Sequence, residues 1–168
     1  LLLKLKRLMK AAGFENIDFA GKFVAVKIHF GEPGNLAYLR PNWAGVVCDY
    51  VKELGGKPFL TDCNTLYVGG RKNALDHLDS AYKNGYNPFQ TGVHTIIADG
   101  LKGTDEALIP VEGGVYVKEA KIGRALALKI HQRTLEECRR RIDALRRLPC
   151  ALPRPCKLPR TLQRLSLI

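Results

Sequence analysis

Three short apolar runs alternate with two helical patterns in the front of this chain, and this order constrains the fold more than any other feature. The runs are FVAVKIHF (23–30), KPFLTDCN (57–64) and VHTIIADG (93–100). A helical pattern begins near Pro41 and stops at Gly55-Gly56, and a second covers about 73–84. The order β-α-β-α-β predicts right-handed crossovers and a mostly parallel, Rossmann-like α/β sheet.

Two further elements are predicted outside this core. The segments ALIPVE (107–112) and GVYVKEA (114–120) flank Gly113 and read as a small hairpin. The opening LLLKLKRLMKAAG predicts an amphipathic helix that ends near Gly13. It is too short and too charged to span a bilayer, although a helix lying on a membrane surface is an alternative to one packed on the domain.

The basic charge is confined to the end of the chain. Residues 1–120 hold 14 Lys and Arg against 13 Asp and Glu, whereas residues 121–168 hold 13 against 3. Nucleic-acid or anionic-partner binding through this end is an alternative function. Nucleic acid is disfavoured because residues 128–168 contain no aromatic side chain to stack on bases and no known finger or helix-turn-helix pattern.

The cysteine pattern argues against a secreted disulfide framework. The chain has five cysteines, an odd number, and no CxxC pair. They are Cys48, Cys63, Cys138, Cys150 and Cys156. The last three lack the compact spacing of zinc or iron–sulfur ligands. A reducing, cytoplasmic location is expected.

Polar residues end each of the three predicted strands. His29 with Glu32, then Asp62 with Asn64, and finally Asp99 stand at these ends. Since the carboxyl ends of parallel strands share one edge, these side chains are expected to converge in one crevice, where ligands of such folds bind.

His29 and Glu32 suit either proton transfer or metal binding, the latter together with Asp62. The structural alternative is a histidine that caps the sheet edge by hydrogen bonds. A nucleophilic Cys63 is disfavoured, because neighbouring Asp62 would raise the pKa of its thiol.

Two glycine turns are candidate anion cradles. Gly69-Gly70-Arg71-Lys72 precedes the second helix, where backbone N–H groups and two cations would suit a phosphate. Its spacing matches neither the dinucleotide fingerprint nor the P-loop, so a glycine turn with a solvated basic pair is the alternative. GEPGN (31–35) is either a phosphate-cradling loop or only a tight turn. Asp76-His77, within the second helical pattern, is expected to be a surface pair.

Four segments of the front part resemble domain-of-unknown-function family 362. They are VAVKIHFGEPGNLAYLRP, KPFLTDCNTLYVGGRKNALDHL, AYKNGYNPF and IIADGLKGTDE, and the resemblance covers roughly residues 1–127. It implies an α/β domain in a prokaryotic, cytoplasmic, redox-linked protein that carries a ferredoxin-type module with a [4Fe-4S] cluster. It names no reaction. The polar positions typical of the family fall here on Lys27, His29, Gly31, Glu32, Gly34, Asn35, Arg40, Asp62, Asn64, Thr65, Gly69, Arg71, Asn73, His77, Asp99 and Gly100.

Residues 128–168 resemble nothing in that family. The glycine-rich stretch and the CxxCxxCxxxCP ligands that follow the domain in the family are absent, and Leu, Arg and Pro dominate residues 143–168. We therefore expect a partial, incomplete α/β domain over 1–127, followed over 128–168 by a basic tail produced by a frameshift. The cluster ligands are expected to be missing from this chain.

The sequence thus predicts a fragment of an iron–sulfur-associated protein that binds a small anionic ligand or a metal at its strand ends. The alternative is an enzyme that uses His29 and Glu32 as acid and base on a small substrate. The predicted ligand-binding residues are Gly31, Gly34, Asn35, Arg40, Asp62, Asn64, Thr65, Gly69, Gly70, Arg71, Asn73 and Asp99.

Overall fold

The computed structural model describes residues 1–127, so the predicted basic tail lies outside the described residues. The helices are α1 (Leu2–Ala11), α2 (Pro41–Glu53), α3 (Ala74–Lys83), α4 (Pro88–Thr91) and α5 (Arg124–Ala127), with a 3₁₀ turn at Phe14–Asn16. The strands are β1 (Phe23–Lys27), β2 (Lys57–Asp62), β3 (Thr95–Ile97), β4 (Glu106–Pro110) and β5 (Glu119–Gly123).

The first three strands form one parallel sheet in the order β1-β2-β3, and β2 lies in the centre. Val26 pairs with Leu60, and Leu60 pairs with Thr95. Strands β4 and β5 form a separate antiparallel pair. The predicted α/β, Rossmann-like fold with a small hairpin is confirmed.

Local sequence signals explain where the two long helices begin and end. Pro41 occupies the first turn of α2, where a missing N–H removes no helical hydrogen bond, and Gly55 follows the helix at φ 83°. The side chain of Asn73 caps α3 by accepting hydrogen bonds from the backbone N–H groups of Leu75 and Asp76.

The core lies on one face of the parallel sheet. Buried Leu60 and Ile97 pack there with residues of α2, α3 and the following loop. The other members of this cluster are Phe30, Ala44, Cys48, Ala81, Tyr86 and Val93. The opposite face carries Phe23 and Ile96, which are 65% and 43% exposed.

The strands are shorter than the apolar runs predicted, and the second hairpin strand was placed wrongly. It covers 119–123 rather than 114–120. The N–H of Val111 donates to the carbonyl of Lys118, and this hydrogen bond is the last one between the two strands before the connection. Residues 112–117 are therefore the connection, and Tyr116 is almost fully exposed. The short helix α4 was not predicted. No helix of residues 1–127 has the length and apolar character needed to cross a membrane.

Candidate functional site

The three strand ends meet as the parallel order requires. Lys27 is the last residue of β1 and Asp62 the last of β2, and the Lys27 ammonium lies 3.3 Å from Oδ1 of Asp62. Glu32 follows β1 and Asp99 follows β3. The prediction that polar groups converge at this edge is confirmed for Glu32, Asp62 and Asp99, and the structure adds Lys27, which was not predicted there.

Arg71 lies at the centre of the site, with only 3% of its surface exposed. Its Nε donates to the carboxylate of Glu32, and its Nη1 lies 3.5 Å from Oδ2 of Asp62. Its Nη2 donates to the hydroxyl of Tyr67. One buried cation therefore joins carboxylates from two strand ends. The solvated basic pair suggested for this turn is wrong for Arg71, although Lys72 is exposed.

Asp99 and Asn64 join the end of β2 to the end of β3. The backbone N–H of Asn64 donates to both carboxylate oxygens of Asp99 at 3.0 Å. The Asn64 side-chain amide donates to Asp99 Oδ1 at 3.0 Å and to the carbonyl of Gly100 at 2.8 Å. Because these donors occupy both of its oxygens, Asp99 serves to fix the loop geometry of the site.

His77 is fully buried beside this cluster, so the predicted surface pair is wrong for it, while Asp76 is exposed. His77 shares the inward side of α3 with Ala74 and Ala81, at spacings of three and four residues. Its Nε2 lies 3.8 Å from Oδ2 of Asp62, and neither ring nitrogen has a hydrogen-bond partner among the described residues. Burial lowers the pKa of His77, which keeps the ring neutral at pH 7.

His29 stands exposed at the end of β1 with its ring orientation fixed. Its Nδ1 accepts a hydrogen bond of 3.0 Å from the backbone N–H of Gly31, which leaves Nε2 as the protonated nitrogen of the neutral ring. Burial and the charge of Arg71 lower the pKa of His29. Oε1 of nearby Glu32 is buried and has no partner among the described residues.

The two predicted glycine turns contact each other. A Cβ added to Gly69 would lie 2.5 Å from Glu32 Oε1, and one added to Gly70 would lie 2.9 Å from Cγ of Pro33. Gly31 has φ 82°, and a Cβ there would also clash with neighbouring side chains. The close packing of the two turns leaves little room for a side chain at these positions, and it places Gly69 against Glu32.

Three of the remaining predicted ligand-binding residues hold the surrounding backbone. Asn73 uses its side-chain oxygen to cap α3, and the N–H of Thr65 donates to the carbonyl of Arg71 at 2.9 Å. Oδ1 of Asn35 accepts from the N–H of Ala37 at 2.8 Å. Gly34 and Arg40 are exposed, and no hydrogen bond or ion pair described for residues 1–127 links either to the cluster.

The described residues do not fit a metal centre or an iron–sulfur cluster. Within residues 1–127 no group of three or more His, Cys, Asp or Glu could hold a metal ion. Glu32 and Asp62, two of the predicted ligands, are both engaged by Arg71. Burial raises the pKa of Cys48 to about 11, and burial with Asp99 raises the pKa of Cys63. Both thiols are therefore protonated at pH 7, as expected for Cys63.

Sequence reasoning missed Tyr67 and the central position of Arg71. No periodic signal marks Tyr67, because it lies in an irregular loop. Lys27 was noted only as a family position, although a usable signal was present: the predicted strand 23–30 places it on the same face as His29.

Comparison with known proteins places the chain in a family. No curated protein and no solved structure matches it. The sequence model of one family, described as "Domain of unknown function (DUF362)", matches residues 24–129, which is more than half of the chain. This match runs from within β1 to α5 and includes every residue of the strand-end cluster (Lys27, Glu32, Asp62, Arg71 and Asp99). The chain therefore belongs to the DUF362 family.

Proposed function

We propose that this domain binds a small anionic ligand at the carboxyl ends of β1, β2 and β3, with Lys27 and His29 as donors. One observation carries the proposal: buried Arg71 engages both Glu32 and Asp62, so Lys27 does not have to neutralise them alone. The Lys27 side chain is 53% exposed and has one ionic partner in the described residues. A second donor, Nε2 of His29, stands two residues later, just beyond the end of β1.

The charges of the cluster predict that binding takes up a proton. Three carboxylates (Glu32, Asp62, Asp99) face two permanent cations, Lys27 and Arg71. An added anion is then favoured by a third positive charge, and the neutral ring of His29 supplies it when it is protonated. Since the pKa of His29 is lowered in the free protein, affinity should rise as the pH falls from neutral to below 6.5, the ordinary value for histidine.

Calorimetric titration with sodium sulfate tests this proposal, because sulfate keeps the same charge over that pH range. Lys27→Met removes a charge-assisted hydrogen bond to the anion. Such a bond typically contributes ~1.5–3 kcal/mol, so sulfate binding should weaken at least ~10-fold. Lys57→Met is the matched control, since Lys57 lies on the same sheet face at the opposite end of β2. Equal sulfate affinity in the wild type and Lys27→Met, with both folded by circular dichroism, would refute the proposal.

A second candidate function is acid–base catalysis by His29 and Glu32. It is supported by the unpartnered Oε1 of Glu32 and by the fixed tautomer of His29. His29→Gln retains a hydrogen-bond donor but cannot transfer a proton at neutral pH. If generic ester and phosphoester substrates are turned over, this variant should bind sulfate but lose turnover, whereas retained turnover would exclude His29 as the acid or base.

We further infer, from the family resemblance alone, that the domain acts beside an iron–sulfur module in a prokaryotic cytoplasm. The cysteines of residues 1–127 do not fit a cluster, so a partner module would hold it. Anaerobic reconstitution with iron and sulfide should leave this chain without cluster absorbance. Stoichiometric iron and sulfide in the reconstituted chain would contradict this inference.

A further inference from the structure

Among the contacts described for residues 1–127, the ion pairs that hold helix α1 to the domain lie on one side of the helix. Lys6 pairs with Glu53 at 2.5 Å, and Lys10 pairs with Glu15 at 3.2 Å. Lys6 also lies over the ring of Tyr50, 5.2 Å from its centroid. None of the residues of α1 is buried by these contacts. Within the described part of the chain, the side of α1 opposite Lys6 and Lys10 makes no ion pair with the domain, and we call it the free side.

The free side of α1 combines exposed leucines with a shallow apolar groove. Leu1 is 89% exposed and Leu8 is 58% exposed. Both line the groove together with Leu5 of α1 and Trp43 of α2. Lys4 completes the lining. Apolar side chains at positions 1, 5 and 8 follow the helical period, so they form one continuous stripe.

Positive charge flanks this stripe. The helix carries four cations and no acidic residue. Lys6 and Lys10 are neutralised by the domain, whereas Lys4 and Arg7 are exposed and have no ion pair among the described residues. Helices that lie in the interface of an anionic bilayer carry an apolar face of leucine or tryptophan bordered by a basic polar face, and the leucine stripe with Lys4 and Arg7 fits this pattern.

We propose that α1 docks this domain on an anionic lipid surface. Leu1, Leu8 and Trp43 enter the headgroup region, while Lys4 and Arg7 bind the anionic lipids. The helix has ten residues and is therefore about 15 Å long, which suits a position in the plane of the interface rather than across the bilayer. This surface is distinct from the strand-end cluster and is independent of the ligand proposed there.

Trp43 is the sole tryptophan of the chain and reports directly on the groove. The full chain is titrated with phosphatidylcholine vesicles that either contain or lack phosphatidylglycerol. The proposal predicts a blue shift of Trp43 emission and co-sedimentation with the anionic vesicles only. Lys4→Glu combined with Arg7→Glu should weaken partitioning at least ~10-fold, because each basic residue near the surface contributes about 1 kcal/mol.

Two controls separate α1 from the basic residues elsewhere in the chain. Lys83→Glu combined with Lys102→Glu makes the same charge change away from α1, and it should retain most of the binding and the emission shift. Leu8→Gln should reduce the shift without changing the net charge. Co-sedimentation without a shift of Trp43 emission, or an equal loss in the Lys83 and Lys102 control, would overturn the proposal.

Discussion

Removal of the Arg71 side chain is the most severe single change that the structure predicts for the cluster. Arg71→Ala leaves the carboxylates of Glu32 and Asp62 without their shared cation. Asp62 is nearly buried, and the Glu32 side chain is only 25% exposed. Water can therefore replace the guanidinium only in part, and two negative charges remain close to each other.

The expected loss of unfolding free energy is ~3–5 kcal/mol, the usual effect of removing one partner from a buried ion pair. Domains of this size are typically stable by about 5–15 kcal/mol, so the variant should be strongly destabilised. The loss comes mainly from the carboxylates that remain. Adding Asp62→Asn and Glu32→Gln should therefore restore about half of it or more, although neither substitution adds a contact.

Urea unfolding followed by circular dichroism measures both effects. The wild type, Arg71→Ala and the triple variant are compared at pH 7, with Lys72→Ala as the control for removal of an exposed cation beside Arg71. A loss below about 1 kcal/mol for Arg71→Ala, the range of exposed ion pairs, would refute a buried guanidinium at the centre of the site. A triple variant that is less stable than Arg71→Ala would refute the charge argument.

Three further predictions concern the surroundings of this cluster. His77→Phe removes two unpaired buried nitrogens and should stabilise the fold. Because the pKa of folded His77 lies below 6.5, the stability of the wild type should fall as the pH drops below that value. Urea unfolding at pH 5 should therefore show a smaller loss of stability for the variant than for the wild type. Asn73→Ala should cost ~1 kcal/mol by removing the cap of the ten-residue α3, whereas Asn87→Ala, at the four-residue α4, should cost less; equal thermal shifts would contradict this. Gly69→Ala should cost ~1–3 kcal/mol because its Cβ would lie 2.5 Å from Glu32 Oε1, and unchanged thermal stability would show that Glu32 moves freely.

The secondary-structure order could be predicted because its signals are local. Pro41 and Gly55 bound one helix, and Asn73 caps the next, as single residues do in many proteins. The parallel strand order then brought Asp62 and Asp99 to one edge. The second hairpin strand could not be predicted in the same way, because the alternation of Val115 and Val117 imitates a strand within the connection.

The partners of the site residues could not be predicted, because they depend on distant packing. Arg71 comes nine residues after Asp62 and 39 after Glu32, and only the fold shows that it joins them. Asp76 and His77 were expected as a surface pair, but their positions on α3 leave Asp76 exposed and bury His77. A pattern of residue types gives the members of a cluster and not their pairing.

The pKa of His29, measured by proton NMR with and without saturating sulfate, tests the central claim most directly. His29→Gln assigns the signal, and His94, just before β3 and at the opposite end of the sheet, provides a reference chemical shift. An anion bound between Lys27 and His29 should raise the pKa of His29 from its lowered value in the free protein. A His29 pKa that sulfate leaves unchanged would contradict anion binding at the strand ends.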